Sequence, residues 1–216
     1  AVPTPRLWSR LGAMYINEWY VPSVLLAWLF GHQGYVSGQT AGLRRDTLQA
    51  IGGLRPLANH LADDYRLGEL VRGLGLRVVL SPYVVKGMHH EPSFSSLAHH
   101  ELRWMRTIRV LRPLSFRLLF ISFCLPLALL GLLGAAGSSL SAAASTLFAA
   151  TVMARLILHV VHRPRDDRSA MSDLWLLPIR AVLIFWVWGR SFFTSHVTWR
   201  GNEFDVDADG VMRPLS

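Results

Sequence analysis

The chain has 216 residues, of which 51% are hydrophobic and 17% are charged, and its mean hydropathy is +0.31. This balance favours a membrane protein and excludes a disordered or collagen-like chain. A disulfide-bonded scaffold is excluded as well, because Cys124 is the single cysteine.

The basic residues are almost all arginine. The net charge is +8, and Lys86 is the only lysine among 22 basic residues. Arginine binds phosphate and lipid headgroups in bidentate fashion, although a base-composition bias of the genome explains the preference equally well. The sequence shows no zinc-finger or RNP-type pattern. We therefore expect anionic lipid headgroups, and no nucleic acid, as partners.

Residues 1–114 contain 13 basic and 7 acidic side chains, the balance of a soluble domain with a basic face. One apolar stretch, YVPSVLLAWLFGH at 20–32, is too short to span a bilayer alone. We expect the segment 15–32 to lie at the membrane interface, to be re-entrant, or to pack against the membrane as a helix.

Helix and strand signals then alternate. RRDTLQAIGGL predicts a helix that begins near Asp46 and ends at the pair Gly52 and Gly53. DDYRLGELVRGLG predicts a second helix with apolar residues at helical spacing and Gly75 as its C-cap. LRVVLSPYVV at 76–85 predicts a short strand. This alternation predicts an α/β fold for residues 1–114.

The second half predicts membrane helices. No charged residue occurs between Leu118 and Ala154, and a spanning helix needs ~20 residues. The stretch is long enough for a hairpin of two spans, at about 116–136 and 140–161. A third span is expected at 174–189, within a helical region 115–190. It contains Arg180, which is costly in lipid and should face protein or snorkel.

Short arginine-rich flanks indicate the orientation. They precede the first span and follow the second, at Arg103, Arg106, Arg109, Arg112, Arg117, Arg163, Arg165 and Arg168. The positive-inside rule puts both flanks on the cytoplasmic side. Three spans then place the acidic tail, 191–216, on the opposite face of the membrane.

Two groups of residues could carry chemistry. Asp63 and Asp64 come where a loop enters a helix, and a carboxylate at that electropositive end could act as a general base. The alternative is an acidic helix cap. In HHELRWMRTIR, Arg103 beside Trp104 could neutralise a phosphate and stack a ring, unless the segment is a basic helix that grips headgroups.

The paired histidines do not predict a metal site. His89, His90, His99 and His100 lack the HxxxH and HExxH spacings, and adjacent histidines on a strand point to opposite faces. We therefore expect no structural zinc and no metal ligand in this chain.

Three blocks in order resemble a known family: GQTAGLRRDTLQAIGGL at 38–54, ADDYRLGELVRGLGLRV at 62–78 and HHELRW at 99–104. They resemble the second half of a processive-type glycosyltransferase domain of GT-A fold. Within that superfamily the chain is most similar to ceramide glucosyltransferases, in particular the bacterial hopanoid biosynthesis associated glycosyl transferases. WSRLGAMYINEWYVPSV at 8–24 and VTWRGNEF at 197–204 fit that branch.

The resemblance implies roles for individual residues. Asp64 corresponds to the aspartate that deprotonates the acceptor hydroxyl, and Asp63 beside it belongs to the same binding region. The family motif (Q/R)xxRW falls on 100–104, so that Arg103 would stabilise the departing diphosphate and Trp104 would line the acceptor site. His100 stands where the family has Gln or Arg.

The resemblance also implies what the chain lacks. The family's nucleotide-binding aspartate and its metal-binding DxD should precede Ala1, so we expect an N-terminally truncated sequence that is inactive alone. The full-length enzyme would use a UDP-sugar and a divalent cation, Mg²⁺ or Mn²⁺.

The expected function is transfer of a sugar, with inversion, from a UDP-sugar to a hydroxyl of a hopanoid or ceramide-like membrane lipid. The catalytic part would face the cytoplasm at a bacterial cytoplasmic membrane. One alternative is a polysaccharide synthase of the same superfamily, which His100 and the small number of spans disfavour. Another is a non-catalytic membrane fragment or anchor.

Overall fold

The structure is a computed structural model that describes residues 1–31, 36, 38–162, 170–193, 197–199, 202–207 and 210–214. Its helices, in chain order, are α1 Leu7–Tyr15, α2 Val21–Leu29, α3 Arg45–Ala50, α4 Asp63–Gly73, α5 Phe94–Leu111, α6 Pro113–Leu118, α7 Cys124–Gly134, α8 Ser141–His162 and α9 Leu176–Arg190. Its strands are β1 Val2–Pro3, β2 Met88–His89, β3 Val197–Trp199, β4 Asn202–Val206 and β5 Met212–Pro214.

The described part of the chain is mostly helical, with two small sheets. Strands β1 and β2 pair in parallel, with Val2 opposite Met88. Strands β3, β4 and β5 form an antiparallel sheet in that order. The predicted helices at α3 and α4 are confirmed. Gly52 and Gly53 follow α3 with φ of 87° and 74°, a left-handed conformation that favours glycine.

The prediction of a strand at 76–85 is wrong. The α/β layer expected for residues 1–114 is also not formed among the described residues. Within the described part of the chain, the segment 76–85 pairs with no other strand. Its side chains are exposed, including Tyr83 at 85% and Val84 at 94%. A lone β-prone run stays outside a sheet when no neighbouring strand satisfies its backbone.

Helices α1 and α2 form one continuous helical segment. A π-helical turn, Ile16–Tyr20, joins them without leaving the right-handed helical region. The α1 half is buried, whereas α2 exposes large apolar side chains such as Leu29 and, just beyond it, Phe30. An exposed apolar face is what a segment at a membrane would present, and the interfacial placement of 15–32 stays a prediction.

One apolar core contains residues from both halves of the chain. It includes Leu11 and Tyr15 on α1, Leu97 and Met105 on α5, and Val187 on α9. Helix α5 therefore lies against α1 and α9 with its apolar side inward. Its N-terminus is capped by Ser93, whose Oγ accepts from the Ser96 N–H at 3.1 Å.

A buried ion pair joins α5 to α9. Both nitrogens at the tip of Arg180 bind the Glu101 carboxylate, at 2.6 and 2.8 Å, and the two side chains are 3% and 1% exposed. The guanidinium also lies 5.3 Å from the centre of the Tyr15 ring. The expectation that Arg180 faces protein is confirmed.

A second buried cluster joins α8 to the π-helical turn. Glu18 binds Arg155 Nη2 at 3.2 Å and His159 Nδ1 at 2.6 Å. The Glu18 carboxylate, which would be costly in a membrane-facing segment, is thus paired with partners on α8. Paired charges are the usual form in which ionisable groups occur at membrane depth.

Two helical stretches are long and apolar enough to cross a membrane, Ser141–Val161 and Leu176–Phe193. The first predicted span is interrupted instead. Helix α6 with the turn that follows it and helix α7 form a pair, Pro113–Ser122 and Cys124–Gly134, bent by 60°. The described helices thus supply two candidate spans, or three if the bent pair is one span.

The tail packs against the loop that precedes α4. The Met212 N–H donates to the Asn59 carbonyl at 2.8 Å, and the Leu61 N–H donates to the Gly210 carbonyl at 2.9 Å. The tail therefore lies on the same side as Asp64, and its predicted place on the opposite face is wrong. An even number of membrane crossings must therefore separate Asp64 from the tail. The two candidate spans, α8 and α9, satisfy this condition if the bent pair of α6 and α7 is re-entrant. The loop arginines 163, 165 and 168 lie outside the described residues.

The Glu101–Arg180 pair predicts a specific stability pattern. Arg180→Met leaves a buried carboxylate without its cation and should destabilise the fold by ~3–5 kcal/mol. The double variant Glu101→Gln, Arg180→Met should recover most of that loss, because no net charge is then buried. Thermal unfolding in detergent measures both, with Arg190→Met on the exposed end of α9 as the control. Equal melting temperatures for the Arg180 and Arg190 variants would contradict the role of the pair.

The tail contacts predict a topology. In a Cys124→Ser background, single cysteines at Ser81 and Arg213 should react with an impermeant thiol reagent from the same side of the membrane. A cysteine at Ser139, in the α7–α8 turn, should react from that side too, because a re-entrant bent pair returns the chain to the side on which it entered. Labelling of positions 81 and 213 from opposite sides would contradict the packing of the tail.

Candidate active site

Two adjacent carboxylates begin α4. Asp63 is exposed, and its Oδ1 accepts from the Asp64 N–H at 2.9 Å. Asp64 is half-buried, and its Oδ1 accepts from the Tyr65 N–H at 2.7 Å. The capping residue is Ala62, whose side chain makes no cap hydrogen bond. The explanation of these aspartates as a helix cap is therefore wrong: both lie in the first turn.

Gly38 covers the Asp64 carboxylate. The Gly38 N–H donates to it, and a Cβ at position 38 would lie 2.8 Å from Oδ2. A side chain there would have to push the carboxylate aside, so a residue without a Cβ permits this close approach. Sequence analysis assigned no role to Gly38, although the residue opens the first of the three blocks.

The surroundings of Asp64 favour its protonated form. Burial raises the pKa of the Asp64 carboxyl, the neighbouring charge of Asp63 raises it further, and the N–H groups of Tyr65 and Gly38 oppose the shift. A carboxylate with a raised pKa is a stronger base than an ordinary aspartate. The site therefore holds a partly desolvated carboxylate in the first turn of α4.

A second group of residues lies on α5. The His100 ring is 4.2 Å from the ring of Trp104, one helical turn later. Trp104 stacks on Tyr15 at 5.5 Å with an angle of 19° between the ring planes. Trp104 is thus held between α5 and α1, and the Tyr15 beneath it is in turn covered by Arg180.

Arg103 is half-buried on the same helix. Its carbonyl accepts from Thr107 Oγ1 at 2.9 Å. Among the described residues, no hydrogen bond or ion pair is made by its guanidinium. A half-exposed arginine without a protein partner is suited to an anionic ligand.

The structure brings His100 and Trp104 into contact, but it does not join them directly to Asp64. The described connection runs through the far end of α5, where Arg112 Nη2 donates to Tyr65 Oη at 2.7 Å. Arg112 follows Arg103 by nine positions, which is ~13 Å along a helix. The described contacts thus link the two parts only through the length of α5.

The described residues do not fit a metal ion. No group of three or more His, Cys, Asp or Glu side chains among them could hold one. The His89 and His100 rings both face the Glu91 carboxylate, at 3.7 and 2.7 Å. Sequence analysis missed Glu91, because its partners become neighbours only in the folded chain.

Taken together, these features define a membrane protein whose polar site precedes its apolar helices. The chain belongs to glycosyl transferase family 21, whose family model matches residues 1–212. It is similar to ceramide glucosyltransferase 3 of Caenorhabditis elegans, with 21% identity over 191 residues, which is 82% of this chain and 40% of that relative. No solved structure matches the chain.

These comparisons confirm the resemblance at the level of the family. The chain spans less than half the length of the relative that it matches. The GT-A fold, the hopanoid branch and the roles of individual residues stay predictions.

The environment of Asp64 predicts an unusual effect on stability. Because its pKa is raised, the ionised carboxyl opposes folding above that pKa, and the penalty vanishes as pH falls below the ordinary range of an aspartate. Asp64→Asn should therefore melt at the same or a higher temperature than the wild type at neutral pH, and lose that advantage in acid.

Asp46 supplies the matched control, since it also lies in the first turn of a helix. The Thr47 N–H and the Arg44 guanidinium hold the pKa of Asp46 low, so its charge stabilises the fold above the ordinary pKa. Asp46→Asn should lower the melting temperature at neutral pH. A greater loss for Asp64→Asn than for Asp46→Asn would contradict this account.

Proposed function

We propose that the protein is an inverting glycosyltransferase that moves a sugar from a UDP-sugar to a hydroxyl of a membrane lipid, with Asp64 as the general base. The observation that carries the proposal is the desolvated carboxylate of Asp64 at the start of α4, covered by Gly38, in a chain of this family. Such a carboxylate can take a proton from a hydroxyl, which few buried groups can do at neutral pH.

The reaction balances with the groups named. Asp64 takes the acceptor proton while the acceptor oxygen forms a bond to the anomeric carbon. The bond from that carbon to the diphosphate oxygen breaks on the opposite face, so the configuration inverts. The electron pair leaves with the diphosphate, and Arg103 stabilises its negative charge. Trp104, held against Tyr15, offers the exposed part of its ring to the acceptor.

A divalent cation is expected for the full-length enzyme. Since the residues described do not fit such an ion, no step of this mechanism passes through it.

The membrane supplies the acceptor in this proposal. The arginine series on α5 and α6 suits anionic headgroups, and α8 exposes apolar residues along most of its length. A lipid hydroxyl at the interface would then reach a site on the cytoplasmic side of a bacterial cytoplasmic membrane. Of the lipid classes, we propose a hopanoid-type polyol first and a ceramide-like acceptor second, because the blocks at 8–24 and 197–204 fit the hopanoid branch.

The test is a comparison of lipid extracts from cells with and without the intact gene, followed by complementation. Wild type should restore a glycosylated lipid, and Asp64→Asn in the full-length protein should reduce transfer at least ~100-fold. Membrane insertion and UDP-sugar binding should persist. Asp46→Asn should restore the lipid as wild type does.

Each outcome decides the proposal. Retained turnover in Asp64→Asn would show that Asp64 is not the base. No difference between the lipid extracts would favour a non-catalytic membrane anchor. In the purified full-length protein, transfer should also fall as the pH drops through the raised pKa of Asp64, because only the ionised carboxylate accepts a proton.

A further inference from the structure

A buried carboxylate supports the first residue of the HHELRW segment. Glu91 lies between β2 and α5 and is 3% exposed. Its Oε1 is 2.7 Å from His100 Nδ1, and its Oε2 accepts from Ser96 Oγ at 2.5 Å. Both carboxylate oxygens are therefore held by residues of α5.

The backbone of Glu91 is fixed as firmly as its side chain. Its N–H donates to Ser9 Oγ at 2.8 Å, and Ser9 Oγ donates to the Glu91 carbonyl at 3.2 Å. Ser9 lies on α1 and is fully buried. Glu91 is thus clamped between α1 and α5, and it presents its carboxylate at a fixed position.

The charge of Glu91 needs a cation nearby. Burial lowers the pKa of His89, which favours the neutral ring, and Arg180 is already paired with Glu101. His90 and the Ala1 ammonium lie on the β1–β2 side, toward His89. Of these titratable groups, His100 is the one within hydrogen-bond distance of the Glu91 carboxylate, at 2.7 Å. A buried carboxylate is stable when such a contact supplies a positive charge and a hydrogen bond.

The geometry points to a positioning role. We propose that Glu91 holds His100 as an imidazolium, with Nδ1–H donating to Glu91, so that Nε2–H donates to a phosphate oxygen of the nucleotide-sugar donor. This inference rests on the function proposed above. The His100 side chain is 32% exposed, and the Trp104 ring against it limits how the imidazole can turn.

Arg103 completes the anion site. His100 and Arg103 are three residues apart on α5, and side chains at that spacing are neighbours on a helix. A diphosphate can then contact both cations at once. Glu91 acts through His100 and does not itself contact the donor.

The experiment is a double-mutant cycle in the full-length protein, with glycosyl transfer measured at varied UDP-sugar concentration. Glu91→Gln should raise the donor KM about tenfold, in line with the loss of a hydrogen bond to a charged group, while kcat and the acceptor KM change little. In a His100→Gln background, the same Glu91→Gln change should add almost nothing. His100→Arg should restore the wild-type donor KM, and Glu91→Gln in that background should leave the donor KM unchanged.

His99→Gln is the matched control. His99 is the neighbouring histidine on the exposed side of α5, where its ring meets Ser95, and its replacement should leave donor KM unchanged. Since Glu91→Gln could disturb folding, melting temperatures accompany the kinetics, and His100→Gln alone tests the anion contact through its own rise in donor KM.

The outcomes separate this inference from the function on which it rests. An equal effect of Glu91→Gln with His100 or Gln at position 100 would show a merely structural role and overturn the proposal. An unchanged donor KM in His100→Gln would overturn it as well. If the wild type transfers no sugar at all, the proposed function fails first.

Discussion

The bond between Glu101 and Arg180 is the contact on which the rest of the structure depends. It places a carboxylate of α5 and a guanidinium of α9 out of water, in bidentate geometry, within the apolar core. Neither charge is tolerable there alone, so each helix specifies the position of the other. A helix apolar enough to cross a membrane is thereby tied to the helix that carries the candidate site.

A series of contacts through aromatic rings connects this ion pair to the candidate site. Arg180 covers Tyr15, Tyr15 stacks on Trp104, and Trp104 meets His100. Large rings in contact have few alternative rotamers in a packed interior. The position of Trp104 is therefore fixed by its stacking on Tyr15 in the core, and the position of His100 is fixed by its contact with Glu91.

Asp64 is held differently, by a loop and a helix start instead of the core. Burial raises the pKa of its carboxyl, and the Gly38 N–H partly offsets that shift. Its link to α5 passes through Tyr65 and Arg112. In the proposed reaction, a carboxylate at the start of a helix beside a loop takes a proton, and side chains on a packed helix receive the leaving anion. Loops commonly carry such residues when a rigid scaffold holds the rest.

The sequence by itself determined the α3 and α4 helices and the glycine stop between them, since spacing and turn chemistry act locally. For Arg180 it left two alternatives, facing protein or snorkelling, because the cost of a lone charge in lipid is relieved by either. It failed at 76–85, because a strand exists only where another strand pairs with it. Tertiary structure decided the partner of Arg180, which lies 79 residues away, as well as the roles of Glu91 and Gly38 and the side on which the tail lies. Each of these depends on contacts between segments that are distant in the sequence, and the local sequence pattern does not predict such contacts.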